Sequence, residues 1–242
     1  MSRSLCECLD ATAPLGSAHL RRFEELGRRK QRDPVLRAFA QYADVPVVNL
    51  ESAMHHPCQA MADMMTIREK LGGERKKVVL TWAWHPKPLP MAVPNSFALA
   101  AAQMGHHLTI AHPRGYELDD ELIGEVNMQA FDAGGSVRVT DDMDEAFEGA
   151  EVIYAKSWGS RMFYGAPEED VEERSSYRGK WIVNETKMAR TREEAIFMHC
   201  LPVRRNVIVT DGVIDSARSV VIDEAENRLH VQKAIMAKLI GG

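Results

Sequence analysis

The sequence has no apolar run near the roughly 18 residues that a membrane-spanning helix needs, so a membrane protein is not expected. Basic residues show no excess: net charge is −5, which argues against a nucleic-acid partner. The opening stretch, MSRSLCECLDATAPLGS, lacks the basic-then-apolar order of a secretory signal. The four cysteines (Cys6, Cys8, Cys58, Cys200) are irregularly spaced, which excludes a disulfide framework and fits a reduced, cytoplasmic protein. No CxxC or HxxxH spacing exists for zinc, and Cys6-Glu7-Cys8 stands alone. No GxGxxG follows any strand candidate, and the Gly-Gly pairs at 72–73 and 134–135 precede strands, so a nucleotide-dependent oxidoreductase is disfavoured. Neither a metal nor a cofactor is expected.

What is present is ordinary globular composition, 45% hydrophobic and 27% charged over 242 residues. Strand candidates are VPVVNL (45–50), KVVLTW (77–82), HLTIAH (107–112), SVRVT (136–140), EVIYA (151–155), WIVN (181–184), AIFMHC (195–200) and SVVID (219–223). Several are apolar throughout, which suits strands buried on both faces. Helical patterns fall near 58–71, 95–105, 119–133, 142–149, 211–217 and 225–240. The alternation predicts an α/β fold, a doubly wound parallel sheet with helices on both faces. The charged stretch 21–33 reads as a solvated helix or linker, and LGGERKK (71–77) as a domain boundary.

In such folds ligands bind beyond the carboxyl ends of strands. Polar groups follow six of the apolar runs: Glu51, His55, His56 and Gln59; Trp84, His85 and Lys87; Lys156, Ser157 and Trp158; Glu185 and Lys187; Arg204, Arg205 and Asn206; and Glu224, Glu226, Asn227 and Arg228. Together they suggest one cleft for a small polar substrate. Each also has a plainer reading. His56 precedes Pro57 at a helix start, where an exposed histidine is the default. With Gln59 one turn on, the two can face one small carbonyl. Cys200 reads as a buried small hydrophobe. It is not a nucleophile activated by His199, because adjacent strand residues point to opposite faces. Lys156 reads as a solvated loop lysine, although Trp158 and Gly159 favour an ordered loop. Arg228 reads as the i, i+4 partner of Glu224 in an acid-rich first turn. Trp82, Trp84 and Trp158 read as packing residues.

HHPCQAMADMMTIREKLG resembles the HPxQxLAD signature of the transcarbamylase family, and HCLPVRRN resembles its HCLP loop. The resemblance runs from about Phe23 to the end. Within the family, TWAWHPKPL, YAKSWG, KMART and DEAENRLHVQKAIMAKL look like the branch acting on N-acetylornithine or N-succinylornithine. ESAMHHP and PLPMAVPNSF lean to the succinyl form, EAENRLHVQKA to the acetyl form.

The resemblance implies transfer of the carbamoyl group of carbamoyl phosphate to the δ-amine of an N-acylornithine, in arginine biosynthesis. The site residues it implies are His56, Gln59, Cys200 and Arg228 for carbamoyl phosphate, with Leu201 accepting through its backbone carbonyl. Glu51 and Lys156 would hold the acylated ornithine. Pro57, Cys58 and His85 complete the substrate-binding set. Ornithine enzymes of the family carry DxWxSMG where this chain has YAKSWG. A lysine there suits an acylated, neutral α-nitrogen beside a carboxylate, and repels a free α-ammonium. The resemblance divides the chain into an atypical segment (1–22), a remnant of the carbamoyl-phosphate domain (23–75), an acylornithine domain (76–224) and a helix returning to the first domain (225–242). The family's SxRTR phosphate motif has no counterpart here. The first domain is therefore expected to be truncated, and the last helix to expose an apolar stripe. Intact relatives resemble homotrimers. Lost clamp arginines would cost roughly 3 kcal/mol each, so low or no activity is expected for this chain alone. A non-catalytic remnant and an ornithine carbamoyltransferase are the alternatives.

Overall fold

The computed structural model describes residues 33–240. Its centre is a five-stranded parallel sheet in the order β3-β2-β1-β4-β5. The strands are β1 (Lys77–Trp82), β2 (His107–Ala111), β3 (Ser136–Thr140), β4 (Val152–Lys156) and β5 (Ile196–Met198). From Val78 to Trp82 in β1, and from Val152 to Ala155 in β4, every side chain is buried. Successive strand residues point to opposite faces, so both faces of the central strands are covered. β3 closes one edge and is mostly exposed.

The helices are α1 (Pro34–Tyr42), α2 (Pro57–Leu71), α3 (Ala92–Gln103), α4 (Asp120–Asp132), α5 (Met143–Phe147), α6 (Pro167–Ser175), α7 (Glu185–Met188), α8 (Asp211–Ile214) and α9 (Val221–Ile240). α2 starts at a proline in its first turn and stops at Gly72, whose φ of 84° suits a residue without Cβ. It lies against both α3 and α9. Chain order reverses beside β1: β2 and β3 build outward on one side, then β4 returns on the other. This reversal opens a crevice beyond the ends of β1 and β4. Ala83 N donates to the Lys156 carbonyl and Trp84 N to the Trp181 carbonyl, which fastens the crevice walls.

Three expected strands are corrected. Residues 45–50 form an exposed loop; Val45 and Leu50 face solvent, and no neighbouring strand among the described residues pairs with them. Residues 181–184 make a single bridge, Val183 to Val209. In 219–223 only Ser219 bridges, to Phe197, and α9 already begins at Val221. The acids Asp223 and Glu224 favour a helix N-terminus there. α1, α6 and α7 were not among the expected helices. Residues 1–32, with Cys6, Cys8 and most of the 21–33 stretch, lie outside the described residues. Asp33 fastens the loop before α2, accepting from Ser52 Oγ at 2.7 Å and Ala53 N at 3.0 Å. α9 buries Val221, Glu224 and Asn227 near its start, while Leu229, Met236, Leu239 and Ile240 are exposed, as the apolar stripe requires.

Candidate active site

Four elements meet at the crevice. The start of α2 supplies His56 and Gln59, the end of β4 Lys156, the turn after β5 Cys200, and the first turns of α9 Arg228. His56 precedes α2 and is buried; its backbone N donates to Ser96 Oγ of α3 at 2.7 Å. Its Nδ1 is buried without a hydrogen-bond partner among the described residues. Burial, then the positive charge of Arg228, holds the His56 imidazole below its usual pKa, with Glu51 opposing. The ring is therefore neutral at neutral pH and can donate from one nitrogen.

Gln59 is buried one turn further on. Its Oε1 accepts from Arg228 Nη1 at 2.6 Å, and its Nε2 donates to Asp63 and Glu224. Arg228 is thus not the i, i+4 partner of Glu224. Glu224 turns inward, onto Gln59 and onto His199 N at 2.9 Å. Arg228 Nε is buried and unpartnered among the described residues, a spare donor beside the crevice.

Lys156 reaches the Cys200 thiol, whose pKa burial pushes up. A partly buried thiol held protonated is a poor nucleophile. The His199 ring is buried with both nitrogens unpartnered among the described residues. Burial, then Lys156, pushes it down to about 3, so it too is neutral. His85 is buried, with Nδ1 beside the Lys87 backbone, and burial lowers its pKa. Arg204 acts on His85, whereas Arg205 is tied to Asp211 and Asp215. Leu201 is exposed and joined to Pro202 by a cis peptide. The region therefore holds cations among neutral imidazoles, which suits an anionic ligand.

Several expected residues stand elsewhere. Glu51 is exposed in the loop beside His56. Pro57 opens α2, and the Cys58 thiol turns to the Asn49 carbonyl at 3.6 Å. Lys187 pairs with Asp144 at 2.5 Å, and Glu185 accepts from Thr210, so the residues after 181–184 do not join the cleft. The tryptophans pack: Trp82 and Trp158 are fully buried, with Trp82 Nε1 on the Trp158 carbonyl. Among the described residues, no three His, Cys, Asp or Glu side chains gather as a metal site. A groove of about 490 Å³ between α1, α2 and α3 is lined by His55 and Pro57 but by none of His56, Gln59, Lys156, Cys200 and Arg228.

Sequence reading missed Asp63, Glu224 as an inward acid, Ser96 and Arg174. Asp63 had a signal, since it lies four residues after Gln59 on one helix. Arg174 had none. It is fully buried, and its guanidinium holds the His85, Lys87 and Trp158 carbonyls. It thereby sets the walls around His85.

Residues 90–239 match the Asp/Orn-binding domain of aspartate/ornithine carbamoyltransferases, and residues 20–69 match their carbamoyl-P-binding domain. The chain belongs to this family. An N-acetylornithine carbamoyltransferase of Xanthomonas campestris pv. campestris is 46% identical over 88% of this chain and 63% of its own length. An N-succinylornithine carbamoyltransferase of Bacteroides thetaiotaomicron is 42% identical over 94% and 66%. An ornithine carbamoyltransferase of Methanopyrus kandleri is 42% identical over 88% and 65%. A crystal structure of acetylornithine transcarbamylase with acetylcitrulline superposes with a TM-score of 0.85 at 46% identity, covering 89% of this chain and 65% of that one. The chain spans a little under two thirds of the first of these carbamoyltransferases. Among the described residues no helix is long and apolar enough to cross a membrane.

Proposed function

We propose that this chain carries the site of a carbamoyltransferase that moves the carbamoyl group of carbamoyl phosphate to the δ-amine of an N-acylornithine, with N-acetylornithine favoured. The observation that carries this reading is the Arg228–Gln59 contact beside a neutral His56 whose Nδ1 has no partner among the described residues. These are the groups needed to polarise one small carbonyl and hold an anion. Residues 23–75 and the returning helix 225–242 would hold carbamoyl phosphate, and residues 76–224 the amine.

In the reaction the neutral δ-nitrogen forms a bond to the carbamoyl carbon. The carbonyl oxygen gains charge, which a proton of His56 and the spare N–H of Arg228 would stabilise. The carbon–oxygen bond to phosphate then breaks, and phosphate leaves with the electron pair. The proton lost by the amine goes to phosphate or solvent. Cys200 and Leu201 would orient the carbamoyl N–H groups. No covalent enzyme intermediate is needed, so positioning and electrostatics carry the rate. Lys156 would pair with the substrate α-carboxylate next to an uncharged acylated nitrogen. Glu51 would act from the loop beside His56. The N-acetylornithine relative is the more similar by a few per cent in identity, which supports the acetyl substrate.

The test supplies the purified chain with carbamoyl phosphate and N-acetylornithine, N-succinylornithine or ornithine in parallel, and scores the ureido product. Turnover with N-acetylornithine, abolished by Lys156→Ala, is expected. Turnover with ornithine alone would overturn the role of Lys156. Saturable binding of carbamoyl phosphate without turnover of any amine would favour a non-catalytic binding protein, the second reading.

A further inference from the structure

Two acids lie behind Gln59 and are not among the residues assigned to substrate. Asp63 is one turn further along α2, and Glu224 is in the first turn of α9; both are completely buried. Gln59 Nε2 donates to Asp63 Oδ1 at 2.7 Å and to Glu224 Oε1 at 3.1 Å. A side-chain amide has two N–H donors, and both are used inward. Its oxygen is therefore left facing Arg228, at 2.6 Å from Nη1. Glu224 Oε2 also accepts from His199 N at 2.9 Å, which ties the same acid to the end of β5.

We propose that Asp63 and Glu224 are positioning residues that share one proton and, as a unit, lock the Gln59 amide with its oxygen toward the site. Two ionised carboxylates side by side in a buried place are strongly disfavoured. The Tyr154 hydroxyl lies beside Asp63; the two carboxyls lie within hydrogen-bonding reach of each other, and Asp63 Oδ2 forms no hydrogen bond with another described residue. A proton held between them fills that gap. The groups facing the pair come from every neighbouring element: Gln59 from α2, Tyr154 from β4, Cys200 and the His199 backbone N–H after β5, and Arg228 from α9. Burial keeps the Tyr154 phenol and the Cys200 thiol protonated, so neither supplies a competing negative charge. Burial likewise raises the proton affinity of both acids, and Asp63 beside it raises Glu224 further. Arg228 then balances the single remaining negative charge.

The consequence is chemical selectivity. A locked Gln59 offers an acceptor, so its site face recognises an N–H. A flipped amide would turn its own N–H groups toward the guanidinium and leave Arg228 without its acceptor. That the ligand is carbamoyl phosphate, with Gln59 beside its carbamoyl group, rests on the functional reading above; the locking by the acids does not.

The test follows the Gln59 side-chain NH2 signals by NMR in the full chain without substrate, assigned by their loss in Gln59→Leu, from about pH 5 to pH 9. Both signals should move with one midpoint. In Glu224→Gln, which keeps the shape and removes one charge, the midpoint should fall by about one unit or more. Asp63→Asn should lower the midpoint likewise, and serves if circular dichroism shows Glu224→Gln unfolded. Signals that ignore pH, or a midpoint unchanged in the folded variants, would overturn the proposal. Because nothing here needs turnover, the result stands apart from whether the chain transfers a carbamoyl group.

Discussion

Arg174 and Asp170 form an ion pair at 2.7 Å, one turn apart on α6 and both completely buried. The guanidinium also donates to three backbone carbonyls at the ends of β1 and β4, while Asp170 accepts from Ser160 N and Tyr116 Oη. The pair is the hub that shapes the wall around His85.

Breaking that pair strands a buried charge. Arg174→Ala should lose about 3–5 kcal/mol of stability. Urea denaturation followed by circular dichroism measures it, and a loss under about 1 kcal/mol would mean that the carbonyls find other donors.

Arg228 is expected to act as a directional donor as well as a charge. Arg228→Ala should weaken carbamoyl phosphate binding about 10-fold or more, the loss of one charged hydrogen bond. Arg228→Lys should not restore it, because an ammonium lacks the planar fork that reaches Gln59 and still leaves Nε free. Isothermal titration calorimetry decides, and full rescue by lysine would reduce Arg228 to a point charge.

Cys200 is partly buried, and burial keeps its thiol protonated. Iodoacetamide should therefore modify it far more slowly than an exposed cysteine, as peptide mass spectrometry before and after unfolding would show. Cys200→Ser should retain measurable transfer if the intact chain transfers at all. Complete loss from a folded Cys200→Ser chain would argue for covalent chemistry.

His199 carries a pH prediction. Its folded pKa, about 3, is depressed below the ordinary imidazole value. The unfolded chain then binds more protons, so this contribution is intact above about pH 6.5 and is lost as pH falls toward the folded value. The stability of the native chain minus that of His199→Asn should fall with acidification across that window, with a steepest slope of about 1.4 kcal/mol per pH unit. A flat difference would mean that the ring is hydrated and titrates normally. Taking the difference removes Asp63 and Glu224, whose raised proton affinities act in the opposite direction.

Much of this protein was legible in its sequence because the signals are local. Apolar runs such as KVVLTW and SVRVT became β1 and β3 with the same bounds. Pro57 opened α2, and the HPCQ turn placed His56 and Gln59 on one helix face. Those features need only period, propensity and spacing. Strands 45–50 and 219–223 failed for the converse reason: a β-rich run becomes a strand only where a neighbour offers its backbone, and no local pattern reports that neighbour.

The tertiary structure alone decided which polar groups share a place. It turned Glu224 inward to meet Asp63 across the α2–α9 contact, gave Arg228 Gln59 as its acceptor in place of its own helix, and sent Lys187 out to Asp144. It also buried Arg174, from a helix with an acid-rich, charged sequence, behind the site. Each of these depends on residues far apart in the chain meeting where water is excluded. There a polar group takes the partner within reach, and sequence spacing no longer determines which one that is.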